Sequence, residues 1–253
     1  MSAMWWRCRP SWNAVAVVAG PDGPLAITAG WDMTAIVWDV NSGAQRHTLT
    51  GHTDGVRAVA VVPNGLLAVT AGWDMTAIVW DVNSGAQRHT LTGHTDGVRA
   101  VAVVPNGLLA VTAGWDMTAI VWDVVNGARR HTLTGHNGDV RAVAVVNGPD
   151  GPLAITTSDD GTAIVWDMVS GARQHTLTGH TRPVNAVAVV AGPDGPLVIT
   201  AGDDRTAIVW DAKNGRDVSR THLPHGGIQV AAAGTGFLLA YGREVAYFAC
   251  PCP

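Results

Sequence analysis

The chain has 253 residues, 47% hydrophobic and 14% charged, which is too apolar for disorder and ample for a buried core. A formal charge of −4, with 16 Lys and Arg and no basic run, argues against a general phosphate-backbone binder. No apolar run reaches the roughly 18–20 residues that a membrane span needs; the longest, Ala14–Ala19 and Ala58–Val62, are strand-sized.

At the N-terminus, MSAMWWRCRP lacks the charged start, apolar core and small-residue cleavage site of a secretory signal. Cys8, Cys250 and Cys252 are too few and too badly placed for a disulfide framework. The expectation is a reduced, cytoplasmic protein. Met4-Trp5-Trp6 reads as a lone strand, at about residues 4–7, ahead of the first repeated unit.

The stretch AGWDMTAIVWD then stands at Ala29–Asp39, Ala71–Asp81 and Ala113–Asp123, with looser copies at Thr157–Asp167 and Ala201–Asp211. Residues 28–69 and 70–111 are identical. Five Trp-Asp pairs, at Trp38, Trp80, Trp122, Trp166 and Trp210, are spaced by 42, 42, 44 and 44 residues. Gly-His pairs at Gly51, Gly93, Gly135 and Gly179 precede the last four. Such a period announces a repeat architecture, in which no unit buries its apolar face alone.

Each unit reads as four short strands. In the second, Val56–Val62 ends at the turn signal Pro63-Asn64-Gly65, and Leu66–Ala71 follows. Gly72-Trp73-Asp74-Met75 turns the chain into Thr76–Asp81, and Val82-Asn83-Ser84-Gly85 leads to Gln87–Thr92. No window has a helical period. Four strands per period, punctuated throughout by Gly and Pro, predict an all-β propeller. Units one, four and five use a longer Pro-Asp-Gly-Pro first turn (Pro21–Pro24, Pro149–Pro152, Pro193–Pro196), which accounts for their two extra residues.

Clear repeats run over about residues 12–222, and a degenerate last blade occupies about residues 225–249. There Ile228–Ala233, Phe237–Tyr241 and Val245–Ala249 read as strands with no Trp-Asp pair. Pairing Met4–Trp6 with Val245–Phe248 supplies a fourth strand. The expected fold is one domain over residues 1–253: a closed β-propeller of six four-stranded antiparallel blades, without exposed edges.

The Gly-His…Trp-Asp pattern resembles the WD40-repeat β-propeller family, most closely its bacterial members with near-identical repeats. The match is strong over about residues 45–211 and weaker at the ends. Each His lies 28 or 30 residues before its Trp, and a turn Asp lies six before it. The resemblance implies a structural hydrogen-bonded tetrad per blade: His52, Thr70, Asp74 and Trp80; His94, Thr112, Asp116 and Trp122; His136, Thr156, Asp160 and Trp166; His180, Thr200, Asp204 and Trp210. The residue types fit, since a buried indole N–H needs a partner and a hydroxyl both donates and accepts. The first unit keeps Thr28, Asp32 and Trp38, but Cys8 or Arg9 stands near the His position, so that blade's network is expected to be incomplete.

Recurrence once per blade argues against reading these groups as catalytic triads, because a catalytic centre is a single constellation of unlike parts. His47, His89, His131 and His175, five residues before each tetrad His, fall on separate blades. They are expected to be solvated rather than zinc-binding, and Cys250-Pro-Cys252 carries no further signal. No metal and no cofactor is expected.

Trp31, Trp73 and Trp115 are different, because a tight turn does not need tryptophan. Each precedes the turn Asp, where the fourth and fifth units have Asp159 and Asp203. By resemblance this is a frequent partner-contact position on the top face, and Arg57, Arg99 and Arg141 are expected near the same rim. The competing reading is that each indole packs on the neighbouring blade and shields the tetrad.

The expected function is a non-catalytic scaffold holding a protein or peptide partner on that face, with no nucleic-acid or membrane partner. A monomer is expected, although identical repeats permit strand-swapped dimers. Two alternatives are a sensor or regulatory propeller detached from a larger bacterial ATPase or kinase protein, and a small-molecule or enzymatic site in the central channel. Against the last, the AVAVV inner strands offer no polar catalytic group.

Overall fold

The computed structural model describes residues 12–20, 22–62, 67–104, 107–192, 194–224, 229–233, 236–241 and 244–249. Every regular element among them is a strand, and the first twenty form five sheets of four antiparallel strands. The first sheet is β1 (Trp12–Gly20), β2 (Gly23–Gly30), β3 (Thr34–Asp39) and β4 (Gln45–Thr50). The second is β5 (Val56–Val61), β6 (Leu67–Gly72), β7 (Thr76–Asp81) and β8 (Gln87–Thr92). The third is β9 (Val98–Val103), β10 (Leu109–Gly114), β11 (Thr118–Asp123) and β12 (Arg129–Thr134). The fourth is β13 (Val140–Gly148), β14 (Gly151–Ser158), β15 (Thr162–Asp167) and β16 (Arg173–Thr178). The fifth is β17 (Val184–Gly192), β18 (Gly195–Gly202), β19 (Thr206–Asp211) and β20 (Asp217–His222). A sheet of three strands follows: β21 (Gln229–Ala233), β22 (Gly236–Tyr241) and β23 (Glu244–Ala249).

Order within each sheet follows the chain, so every connection is a hairpin. The first strands of successive sheets are neighbours: β1 with β5, β5 with β9, β9 with β13, β13 with β17 and β17 with β21. Each first strand also meets the second strand of the sheet before it, for example β5 with β2. The sheets therefore stack face to face, as the blades of a propeller do, with the first strands on a common inner side. The expected closing strand, Met4–Trp6, lies outside the described residues, as do Cys8, Arg9, Cys250 and Cys252.

Stacking divides the core into one cluster per joint. Leu25, Ile27 and Val37 of the first sheet meet Ala68, Ile78 and Trp80 of the second. Val69 and Val79 meet Ile120 and Trp122 at the next joint. A middle strand is covered on both faces, which is why Leu67–Gly72 is buried nearly throughout and shows no polar alternation.

Two kinds of β-bulge interrupt the ladders. In the first strands, Val56 pairs with Gly72 but Ala58 with Ala71, so Arg57 is the extra residue. Asn13, Arg99, Arg141 and Asn185 hold the same place in the other four sheets. In the outer strands the extra residue is Arg46, Arg88, Arg130, Gln174 or Val218. A bulge breaks the period of two and re-aims one side chain.

Candidate functional site

Inside each joint the structure brings together the residues of the expected tetrads. Trp80 donates its indole N–H to Thr70 Oγ1 at 2.8 Å, and Thr70 Oγ1 lies 2.8 Å from His52 Nε2. His52 Nδ1 is 2.8 Å from Asp74 Oδ2. Burial holds His52 below its ordinary pKa, against the pull of Asp74, so the ring is neutral. One assignment of protons satisfies every atom: Trp80 donates to Thr70, Thr70 to Nε2, and Nδ1–H to the carboxylate. The three other complete sets repeat this geometry, with Trp–Thr bonds of 2.8 Å at Trp122, Trp166 and Trp210.

Asp74 also receives the backbone N–H of Thr53 at 2.9 Å and the hydroxyl of Thr76 at 2.8 Å. Thr76 and its counterparts Thr118, Thr162 and Thr206 are thus further members. Their signal was in the sequence, because an Asp-x-Thr turn lets the carboxylate hold the hydroxyl and N–H two residues on. In the first blade Trp38 donates to Thr28 at 2.8 Å, and Asp32 is exposed and accepts from Thr34.

The second histidine series corrects an expectation. These rings are not simply solvated, because each spans a joint. His47 Nε2 bonds the carbonyl of Asn83 at 2.7 Å, His89 that of Val125 at 2.9 Å, His131 that of Val169 at 2.8 Å and His175 that of Lys213 at 3.0 Å. The ring lies against a turn glycine of the next sheet. Gly85 has φ of +70°, and a Cβ there would stand 2.9 Å from His47. Sequence spacing hid this bond because its acceptor is a backbone oxygen 36 or 38 residues away. The aspartate of each Trp-Asp pair caps the following turn, and in blades one to three it also holds the arginine of the outer bulge: Asp81 accepts from Arg88 at 2.5 Å and from Ser84 N at 3.0 Å, which brings its pKa to about 2.

The rim at the β2–β3, β6–β7 and β10–β11 turns carries the tryptophans. Trp31 and Trp73 meet edge to face, centroids 4.3 Å apart at 87°, and Trp73 and Trp115 lie 5.2 Å apart at 44°. Three blades thus share one continuous row of indoles. Trp31 is 43% exposed, while the other two are half-buried. Trp31 and Trp73 also reach the next blade, since a Cβ on Gly55 would meet the Trp31 ring at 2.9 Å and one on Gly97 the Trp73 ring at 3.4 Å. The row thus packs on its neighbour, as the competing reading has it, and Trp31 keeps surface in solvent.

The inner bulge of blade two aims Arg57 at this row. The Arg57 guanidinium sits 5.6 Å from the Trp31 ring centre and 5.7 Å from that of Trp73. Arg57 Nε and Trp73 Nε1 are buried without a hydrogen-bond acceptor, so ring faces take the place of polar partners. Arg141 forms a two-pronged ion pair with Asp159, the Nη2–Oδ2 arm measuring 2.8 Å. Asn185 donates to Asp203 at 2.5 Å. The indole arc of blades one to three thus continues as an acidic arc on blades four and five. At the opposite ends of the strands, a cavity of about 680 Å³ between blades three and four is lined by Leu108, Val125, His131, Pro152, Met168 and Val169. Among the described residues no group of three or more His, Cys, Asp or Glu is placed to hold a metal ion.

Comparison with known proteins agrees with this geometry. The family described as "WD domain, G-beta repeat" matches five times, over residues 10–39, 43–81, 85–123, 127–167 and 171–211. The probable serine/threonine-protein kinase PkwA of Thermomonospora curvata is 52% identical over 46 residues, which are 18% of this chain and 6% of the kinase. The chain thus matches a small part of that relative's length.

Proposed function

The chain belongs to the WD40-repeat family, and from that premise we propose that it is a non-catalytic scaffold binding a protein or peptide partner on the rim that carries Trp31, Trp73 and Trp115. The observation that carries this reading is the continuous row of three indoles, with Trp31 43% exposed and Arg57 held against it. Tryptophan and arginine are the side chains most enriched in interface hot spots. Complete tetrads hold the turns of Trp73 and Trp115, and their threonine and histidine are buried, so they serve as framework. The scaffold is proposed to be a cytoplasmic monomer of six blades, the sixth completed by residues about 4–7.

The test is capture from lysate of the source organism by wild-type protein and by the Trp31, Trp73, Trp115→Ala variant, read by mass spectrometry. A protein held by the first and lost by the second is the expected outcome. Equal capture by both, with the fold intact, would sink the proposal.

A second reading is supported by the short similarity to a kinase: a regulatory propeller of bacterial type that works on a signalling domain of its own longer chain. An upstream kinase or ATPase reading frame joined to this one favours it, and an isolated reading frame counts against it.

A further inference from the structure

Around the rim, each inner bulge residue is matched with the residue opening the second turn of its own blade, 16 or 18 positions later. In blades four and five that residue is a carboxylate and the match is made: Arg141 on Asp159, Asn185 on Asp203. In blades two and three the arginine is kept, but the carboxylate is replaced by Trp73 and Trp115. Arg57 is taken up between two indole faces. Arg99, in an identical local sequence, is not. Among the described residues no hydrogen bond, ion pair or ring face engages it.

Its surroundings make that gap matter. Arg99 is half-buried in a row with Arg57 and Arg141. Burial first, and then the charges of Arg141 and Arg57, push its guanidinium below the ordinary value; Asp159 and Asp139 pull the other way. A partly desolvated cation among like charges is relieved by one added acceptor. The planar fork of arginine fits a carboxylate in two-pronged fashion, as Arg141 and Asp159 already show in the next blade.

We propose that Arg99 is the docking point for a single carboxylate of an acidic peptide segment in the partner, with an adjacent apolar side chain lying on the indoles of Trp73 and Trp115. This rests on the rim being the partner-binding face. A carboxylate fits better than a phosphate, because Asp159 and Asp139 stand close enough to repel a second negative charge. The missing intrablade carboxylate is thus supplied from outside.

The experiment pans a phage-displayed library of random linear peptides on the full chain. Selected sequences are synthesised and titrated calorimetrically against wild type, Arg99→Gln, Arg99→Lys, the triple Trp→Ala variant and the remote control Arg216→Gln. The expected result is an Asp or Glu fixed next to an apolar residue. Arg99→Gln and the peptide's Glu→Gln change should each weaken binding by about tenfold or more, without adding to one another. Arg99→Lys should bind between the two, and Arg216→Gln like wild type. Free Arg99→Gln should melt no lower than wild type, which checks its folding, and should gain less thermal stability from the same peptide concentration than wild type does.

Peptides selected without a fixed acid, a failure to select any, a phosphoserine version binding more tightly than the Glu version, or an unchanged Kd in Arg99→Gln would each overturn the inference. If binding survives Arg99→Gln but is lost in the triple Trp variant, the inference falls and the rim reading stands. If it survives both, both fall.

Discussion

Thr70 Oγ1 serves two buried partners at once, as acceptor for Trp80 and donor to His52. Thr70→Val keeps the shape and strands both, so it should cost ~1–3 kcal/mol in urea unfolding. Thr28→Val should cost less, because Trp38 is half-exposed and its N–H can turn to water. Protonation reads out the same networks. His52, His136 and His180 are held below 6.5 chiefly by burial, so the folded chain resists a proton that the unfolded chain accepts at about that pH. Their contribution is complete above 6.5 and drains away as pH falls below it. A second loss belongs to Asp116 and Asp204. Burial raises both, yet the hydrogen bonds of His94 and Thr95 on one, and of Thr206 and Thr181 on the other, bring them to about 2 from 3.8. Tm should therefore be level from neutrality upward, fall below 6.5 and fall again below 3.8. A scan that stays flat down to 3.8 would contradict the neutral histidines.

At the level of strands and turns, one position is at odds with its neighbours. Met33, Met75 and Met117 sit in the left-handed region at φ of 62–65°, where the fourth blade has Gly161 at +80°. Their side chains are exposed and contribute little packing. Met75→Gly should therefore raise stability by ~0.5–1 kcal/mol, since the left-handed penalty exceeds the added freedom of the unfolded glycine. Unfolding in urea with an unchanged m-value checks it. The strands were legible to within a residue: Val56–Val62 became Val56–Val61, and Leu66–Ala71 became Leu67–Gly72. Gly, Pro and Asn mark the turns there, and β-branched residues fill between. The bulge at Arg57 was not legible, because VRAVAVV reads as unbroken alternation. Arg141 meets Asp159 of its own blade, 18 positions on, but Arg57 and Arg99 share one local sequence and still differ in their ring contacts, which local sequence does not report.

For the molecule as a whole, the core is a series of joints rather than one centre, so stability sums over units and their contacts. A terminal unit has such a contact on one face unless the ring closes, as proposed above. Deleting residues 1–10 should leave the sheet of β21 to β23 with an open edge and produce aggregation, seen by light scattering. A monodisperse truncation of equal Tm would refute closure by that segment. The repeat period made the sheets and their order legible; the joints became visible in the structure, where indole, histidine clasp and bulge each reach the adjacent blade.

Residues 28–69 and 70–111 are identical, and contacts beneath the rim between blades one and two are reissued between blades two and three: Trp31 over Gly55, then Trp73 over Gly97; His47 to Asn83 O, then His89 to Val125 O. The joint works like a universal coupling. A genetic event that removed one copy would join parts already cut to fit each other, and the same holds for adding one. At the rim the copies differ, since Arg57 lies against two indoles and Arg99 does not. A gene of this kind can nonetheless lengthen or shorten its stack of sheets by whole units while reusing contacts that its product already makes.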